Sequence, residues 1–300
     1  QFHWTWRFVL VIISSHNRQL QNAGKCPRFF TWYIHVMSFK IRKKYFVMTC
    51  LLTLPLCTQA TDIRLAAELR YFDYEETDAF GNSLNQETGF MPGFTVAASQ
   101  PSRSIHNTVE FSLYGGDVDY DGQTQAGQPH QTTTEETIYR LLYKLSWSPE
   151  DSEGAFYGKA YWQQWDRNIL PNDGVSGLFE RYQWWTVEAG AQVPFIKDEK
   201  HSLLFELGML ATFNGTIMVD LTNSGLGSPE LDLGNGVGFS GELKYAFMQA
   251  KNSSFQLGVQ LKTWEFGRSN TETLADGRTI YEPDSSTIQT TLSASYIHHF

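Results

Sequence analysis

Residues 137–147 read TIYRLLYKLSW, and their order decides the fold. Tyr139, Leu141, Tyr143, Leu145 and Trp147 fall on one side of a period-two repeat, with Arg140 and Lys144 on the other. A strand turns successive side chains to opposite faces, so this stretch is a strand with one apolar and one charged face. The same pattern recurs in both directions. Ile63, Leu65, Ala67, Leu69 and Tyr71 oppose Arg64, Glu68 and Arg70; Phe94, Val96 and Ala98 form a face, as do Val109, Phe111 and Leu113. Further runs follow at 156–162, 185–193, 203–209, 237–247, 255–261 and 292–300. These are ten strands, and twelve if TIMVDL (216–221) and PELDLG (229–234) add a pair instead of forming a hairpin above the rest.

The connections alternate in length. Short ones hold QPSRSIHN, SPEDSEG, PFIKDEKHS and QAKNSS; long polar ones are read at 74–88, 117–134, 168–181, 214–235 and 268–286. Antiparallel strands with short turns at one end and long loops at the other predict an all-β fold, an antiparallel transmembrane β-barrel. Closure gives every backbone N–H and C=O a partner, which a strand needs in order to cross lipid.

Composition divides the chain. Residues 1–60 contain no Asp or Glu, and from Met37 a basic segment (Lys40, Arg42, Lys43, Lys44) precedes an apolar run over 45–57 and the small-residue site at Ala60. This is the pattern of a secretory signal peptide over 37–60, too short in its apolar part to span a bilayer as a helix. Residues 1–36 are then expected to be upstream sequence from a start assigned too early, and 61–300 to be the exported barrel. That part carries 15 Lys and Arg against 32 Asp and Glu, a net charge of −17, and all three cysteines (Cys26, Cys50, Cys57) precede it. A chain so acidic lacks the basic face that nucleic acid requires, and its fold depends on its own ladder, not on disulfides.

Aromatic residues gather near the strand ends, as in Tyr157, Tyr161, Trp162 and Trp165 and in Tyr182, Trp184 and Trp185, and are expected to form interfacial girdles. The chain closes on Phe300, with Leu292, Ala294 and Tyr296 on the same face. A terminal Phe ending an alternating strand resembles the C-terminal signature of Gram-negative outer-membrane barrels, with His298 a departure from it. That resemblance implies residence in the bacterial outer membrane. It also implies contact with outer-membrane lipid and lipopolysaccharide, and recognition of Phe300 by the barrel assembly machinery.

With the apolar face toward lipid, the opposite face lines the lumen. Arg64, Arg70, Arg140, Lys144, Lys159, Lys244 and Lys262 are expected there, with Glu68, Glu110, Glu188, Glu206 and Glu242. A barrel of about ten strands is nearly narrow enough for side chains to fill, so these charges either pair into a plug or ring a narrow pore. At the outer end, YGGDVDYDGQTQAGQ (114–128) places Asp117, Asp119 and Asp121 before Gly122, the D-x-D-x-D-G spacing of a calcium loop. Gln128 stands where that loop needs its bidentate Glu, so a surface Ca2+ site is the most it predicts, against a solvated acidic loop. Strand count and acidic mouth also resemble the omptin proteases, whose site sets an Asp pair opposite an Asp-His pair. Asp117 and Asp119 match the first pair, but no Asp-x-His occurs and only His130 lies in a long connection. The expectation is a non-enzymatic barrel, structural or a narrow passive pore, with no cofactor beyond the candidate Ca2+. The alternatives are a Ca2+- or partner-binding surface barrel and an omptin-like hydrolase.

Overall fold

The computed structural model describes residues 62–300 apart from 103, 125, 126, 151 and 251. The expected upstream segment 1–36 and signal peptide 37–60 lie outside the described residues. Ten long strands form the wall: β1 (Asp62–Thr77), β2 (Ser83–Pro101), β3 (Ile105–Gln123), β4 (Pro129–Trp147), β5 (Ala155–Ile169), β6 (Leu178–Lys197), β7 (His201–Asp220), β9 (Gly236–Ala250), β10 (Ser253–Phe266) and β13 (Asp284–His298). Short β8 (Glu230–Asp232) pairs with the outer part of β7, and β11 (Glu272–Thr273) pairs with β12 (Thr279–Ile280) in a loop hairpin. Neighbouring wall strands are antiparallel, and the sheet closes where β1 meets β13, from Ile63 opposite His298 to Thr77 opposite Asp284. The barrel has ten strands; TIMVDL and PELDLG belong to the β7–β8 hairpin above it.

Connections at 102–104, 148–154, 198–200 and 251–252 mark the short-turn end, which is periplasmic in barrels of this type. The opposite connections are 78–82, 124–128, 170–177, 221–235 and 267–283. Two of the five expected long loops, 74–88 and 117–134, are therefore mostly strand. Their polar residues concealed a ladder that continues beyond the apolar belt. On β4 the outward apolar run goes from Tyr139 to Trp147, close to the roughly 9–11 residues a tilted strand needs to cross a bilayer. The outward residues above it are Thr137, Glu135, Thr133 and Gln131, suited to water.

Parity is preserved around most of the wall. Outward Leu65, Leu69, Phe94, Leu145, Val187, Met209, Leu257 and Leu292 are exposed, whereas inward Arg70, Ser112, Glu188 and Lys262 are buried. On β7 a bulge opposite Gln183–Trp185 holds Asn214 at φ 50° and reverses the phase, so that Thr212 below it and Ile217 and Val219 above it all face inward. Glycine sets wall spacing where a ring needs room. A Cβ at Gly190 would stand 2.7 Å from the Tyr157 ring, which lies across the inner wall there.

The aromatic girdle differs from the expected one. Tyr157, Tyr161, Trp165, Tyr182 and Trp184 are buried inside the barrel, because they share parity with the lumen charges. The outward rings at the periplasmic end are instead Trp147 with Phe156, Phe195 with Phe205, and Phe247 with Phe255 and Tyr296, at centroid distances of 5.5–6.2 Å. They flank the short turns. Placing Arg at Val259, in the middle of the outward face of β10, is expected to cost about 2–4 kcal/mol, and Asp119→Arg above the belt less than about 1 kcal/mol. Urea unfolding of the barrel refolded into lipid vesicles measures both.

Candidate functional site: a divided lumen

The lumen has two compartments. In the periplasmic half, the strands' inner faces bring the expected charges together. Glu206 on β7 accepts hydrogen bonds from Lys144 Nζ (2.6 Å) and Lys244 Nζ (3.0 Å), with Lys159 Nζ at 3.6 Å. Glu188 on β6 accepts from Lys159 Nζ (2.8 Å), the Tyr157 hydroxyl (3.0 Å) and the Ser240 hydroxyl (2.7 Å). Glu110 on β3 accepts from Arg140 Nη2 (2.8 Å) and pairs with Arg64, and Glu242 lies 2.9 Å from Lys244 Nζ. Glu68 accepts from the Tyr114 hydroxyl, and the Arg70 guanidinium stacks 3.4 Å from the centre of the Tyr114 ring. Lys262 donates to the Tyr161 hydroxyl at 3.2 Å. All twelve charges expected in the lumen face it. Pairs this buried repay little more than their desolvation, so their effect is to fix which strands face one another.

Between these side chains lies a cavity of about 330 Å3, lined by most of those charges and by Ser99, His106, Ser146 and Gln256 toward the periplasmic rim. The outer half is filled mainly by side chains, with a second and more open pocket of about 730 Å3 at its rim between β7, β9, β10 and β13, lined among others by Thr212, Phe266 and Ser285. Phe72, Tyr74, Met91, Trp165, Tyr182, Trp184, Trp264 and Phe266 pack there into one buried cluster, joined by Leu231 and Leu233 from the β7–β9 connection. Trp165 stacks on Tyr182 at 4.5 Å and meets Tyr74 edge-on at 5.0 Å.

A second ionic cluster is embedded in this packing. Arg167 on β5 donates from Nη1 to Glu76 (3.0 Å) and Glu180 (2.6 Å), and from Nε to Glu87 (3.0 Å). The Thr134 hydroxyl also donates to Glu87 (2.8 Å), and the Trp165 indole N–H donates to Glu136. From the long connection between β10 and β13, Glu282 reaches in to accept from the Tyr182 hydroxyl at 2.6 Å and the Tyr74 hydroxyl at 3.3 Å. Its backbone N–H donates to the Ser269 hydroxyl (2.7 Å), which ties the two limbs of that connection together. The sequence reading missed this cluster because it assigned Glu76, Glu87, Glu180 and Glu282 to loops and ended the neighbouring strand runs short of Arg167 and Glu136. Parity was the available signal: Arg167 falls in phase with Lys159, Glu76 with Arg70, Glu180 with Glu188, and Glu136 with Arg140.

Asp117, Asp119 and Asp121 lie in β3, not in a loop, opposite Glu135, Thr133 and Gln131 of β4. All three are exposed on the outer wall, while intervening Val118 and Tyr120 face inward. Alternate residues of an extended strand stand about 6.8 Å apart, whereas Ca2+ gathers its oxygens within about 2.6 Å, so this backbone does not wrap an ion. Among the described residues no group of three or more His, Cys, Asp or Glu side chains is placed to hold a metal ion. Nor do Asp117 and Asp119 face a partner across a cleft as an omptin pair would. His130 sits on the inner side of the wall, its ring 6.2 Å from Tyr120.

Comparison with solved structures matches this geometry. The outer-membrane protease OmpT from Escherichia coli superposes with a TM-score of 0.51 at 7% identity, over 80% of this chain and 96% of that one. The chain is an outer-membrane-type β-barrel. Its apolar belt places it in a lipid bilayer, as the fold requires. The translocator domain of the autotransporter NalP from Neisseria meningitidis is similar at a TM-score of 0.43 and 11% identity, over 82% of this chain and 91% of that one. OprG from Pseudomonas aeruginosa is similar at a TM-score of 0.34 and 10% identity, over 80% and 96%. No protein-family model matches the chain, and no curated protein matches it in sequence.

Two outcomes follow from the outer cluster. Arg167→Gln strands Glu76, Glu87 and Glu180 without their cation and is expected to destabilise the barrel by about 3–5 kcal/mol in urea. Burial, and next the charges of Glu76 and Glu180, push the Glu282 carboxyl well above the usual carboxylate range. A folded-state value raised in this way means that the docked connection is favoured at low pH and loses that advantage as pH rises through the raised value. Hydrogen exchange over 267–283 should therefore speed up beyond its intrinsic rise as pH climbs above the ordinary carboxylate range and through the raised value, and Glu282→Gln should remove the excess.

Proposed function

We propose that the protein is a structural barrel of the bacterial outer membrane whose lumen is closed at rest. The observation that carries this reading is the outer half of the lumen, where Phe72, Trp165, Tyr182, Trp184 and Trp264 belong to one buried cluster packed around the Arg167 ion pairs. Ion flow needs polar groups spaced around water, as in a charged ring, and a dry aromatic layer is the opposite arrangement. The polar compartment below that layer is a cul-de-sac, entered from the periplasmic side. The outer wall above the apolar belt, with its row of Asp117, Asp119, Asp121 and Glu135, is the surface such a barrel offers to lipopolysaccharide headgroups and the medium.

Single-channel recording in planar bilayers tests the closed state. The wild-type chain is expected to insert without discrete conductance steps. Trp165→Ala combined with Trp184→Ala removes two rings of the dry layer and should produce steps that grow with salt concentration. Reproducible steps from the wild type would replace this reading with that of a narrow passive pore.

A further inference from the structure

We infer that the periplasmic compartment of the lumen is a binding site for a small oxyanion, a phosphate or carboxylate group, held at its inner end by Lys262 and Arg140. The inference rests on the cavity and its charges, and stands whether or not the outer half conducts.

The first observation is an imbalance of partners. Of the cations that line the cavity, Arg64, Arg140, Lys144, Lys159 and Lys244 each lie within 4 Å of a carboxylate oxygen. Lys262 does not. Its side chain is 5% exposed, and its polar partner among the described residues is the neutral Tyr161 hydroxyl at 3.2 Å. The nearby Glu188 acts on it through space but is not in ion-pair contact, and a buried ammonium with no contacting counter-charge is costly, so the cavity beside it is where an anion can supply one.

The second observation is convergence. Lys262 Nζ lies 4.6 Å from the centre of the Tyr161 ring, and the Arg140 guanidinium lies 6.0 Å from the same ring, so the two cations share one aromatic wall. Arg140 Nε is buried and has no hydrogen-bond partner, although Nη2 of the same group is bonded to Glu110 and Ser112. Just beyond, Arg70 keeps Nη1 buried and unpartnered, with Thr291 and the Tyr114 ring as its contacts. Glu188 and Glu206 each keep one carboxylate oxygen without a hydrogen-bond partner as well, but around Lys262 the orphaned guanidinium N–H groups and the ammonium form a donor set for oxygen acceptors carrying negative charge.

The third observation is enclosure. The aromatic layer closes the cavity on its outer side, and about 330 Å3 falls within the range of small-molecule sites, roughly 300–1,000 Å3. A ligand would enter from the periplasmic rim past His106, which is exposed, and Ser99 and Ser146. From there the cavity wall carries cations already matched to carboxylates, Arg64 with Glu110 and Lys144 with Glu206, before it reaches Lys262, which has no carboxylate within 4 Å among the described residues.

Titration calorimetry of the full chain in detergent micelles tests this, with inorganic phosphate and succinate as separate probes at low ionic strength. Saturable binding of at least one probe by the wild type is expected. Lys262→Gln should weaken it at least tenfold, Lys262→Arg should retain it, and Arg181→Gln, on the outer wall, should leave it unchanged. Phosphate alone binding would assign a phosphate site, and succinate alone a carboxylate site. Absence of saturable binding by the wild type overturns the inference, as does equal affinity in a Lys262→Gln barrel whose circular dichroism is native. Should Lys262→Gln not fold, Arg140→Lys takes its place, with a tenfold loss expected because the orphaned Nε–H is removed while the charge remains.

Discussion

Everything in this molecule depends on the ladder between the first and last strands. Once β1 pairs with β13, the sheet has no edge, and each residue's parity assigns it to lipid or to lumen. A slip of one position would turn Leu65, Leu69 and Leu292 inward and drive Arg70 and Thr291 into hydrocarbon. Each such cation costs a few kcal/mol at the midplane, far more than a displaced ladder bond. The register is therefore held by the bilayer as much as by the backbone.

Within that frame, charge and aromaticity divide the interior by height. The lower charges form cross-lumen pairs, such as Lys144 with Glu206, between strands distant in sequence. The upper charges are fewer in sign: one arginine serves several carboxylates, and hydroxyl and indole groups of the surrounding tyrosines, threonine and tryptophan supply the remaining donors. Polar groups in such a setting are tolerable where their hydrogen bonds are met, and one atom each of Glu87, Glu136 and Arg167 stays buried without a hydrogen-bond partner there. The same chain thus builds a charge-lined compartment and an aromatic-packed one, each threaded by ion pairs.

The belt was legible in the sequence because lipid imposes a binary pattern. Tyr139 to Trp147 could be read directly, as could the lumen position of Arg140 and Glu188. Above the bilayer the pattern vanished while the strand continued. There both faces are polar, as in Asp117 to Gln123, and the inward Val118 and Tyr120 are too few to mark a period. Calcium spacing was read there because extended and looped backbones can carry the same letters, and only the partners Glu135, Thr133 and Gln131 on β4 distinguish them. The girdle was misread for a related reason. A tryptophan beside a loop looks interfacial in one dimension, but Trp165 and Trp184 lie in phase with the lumen. Adjacent Trp184 and Trp185 look in opposite directions.

The bulge on β7 gives the barrel a seam in its reading frame. Below Phe213 and Asn214 the strand obeys the parity set by the membrane; above them it obeys the opposite one, as an independent phrase. Ile217 and Val219, at odd positions that below the seam would face lipid, thereby reach the lumen together with Leu231 of the outer hairpin.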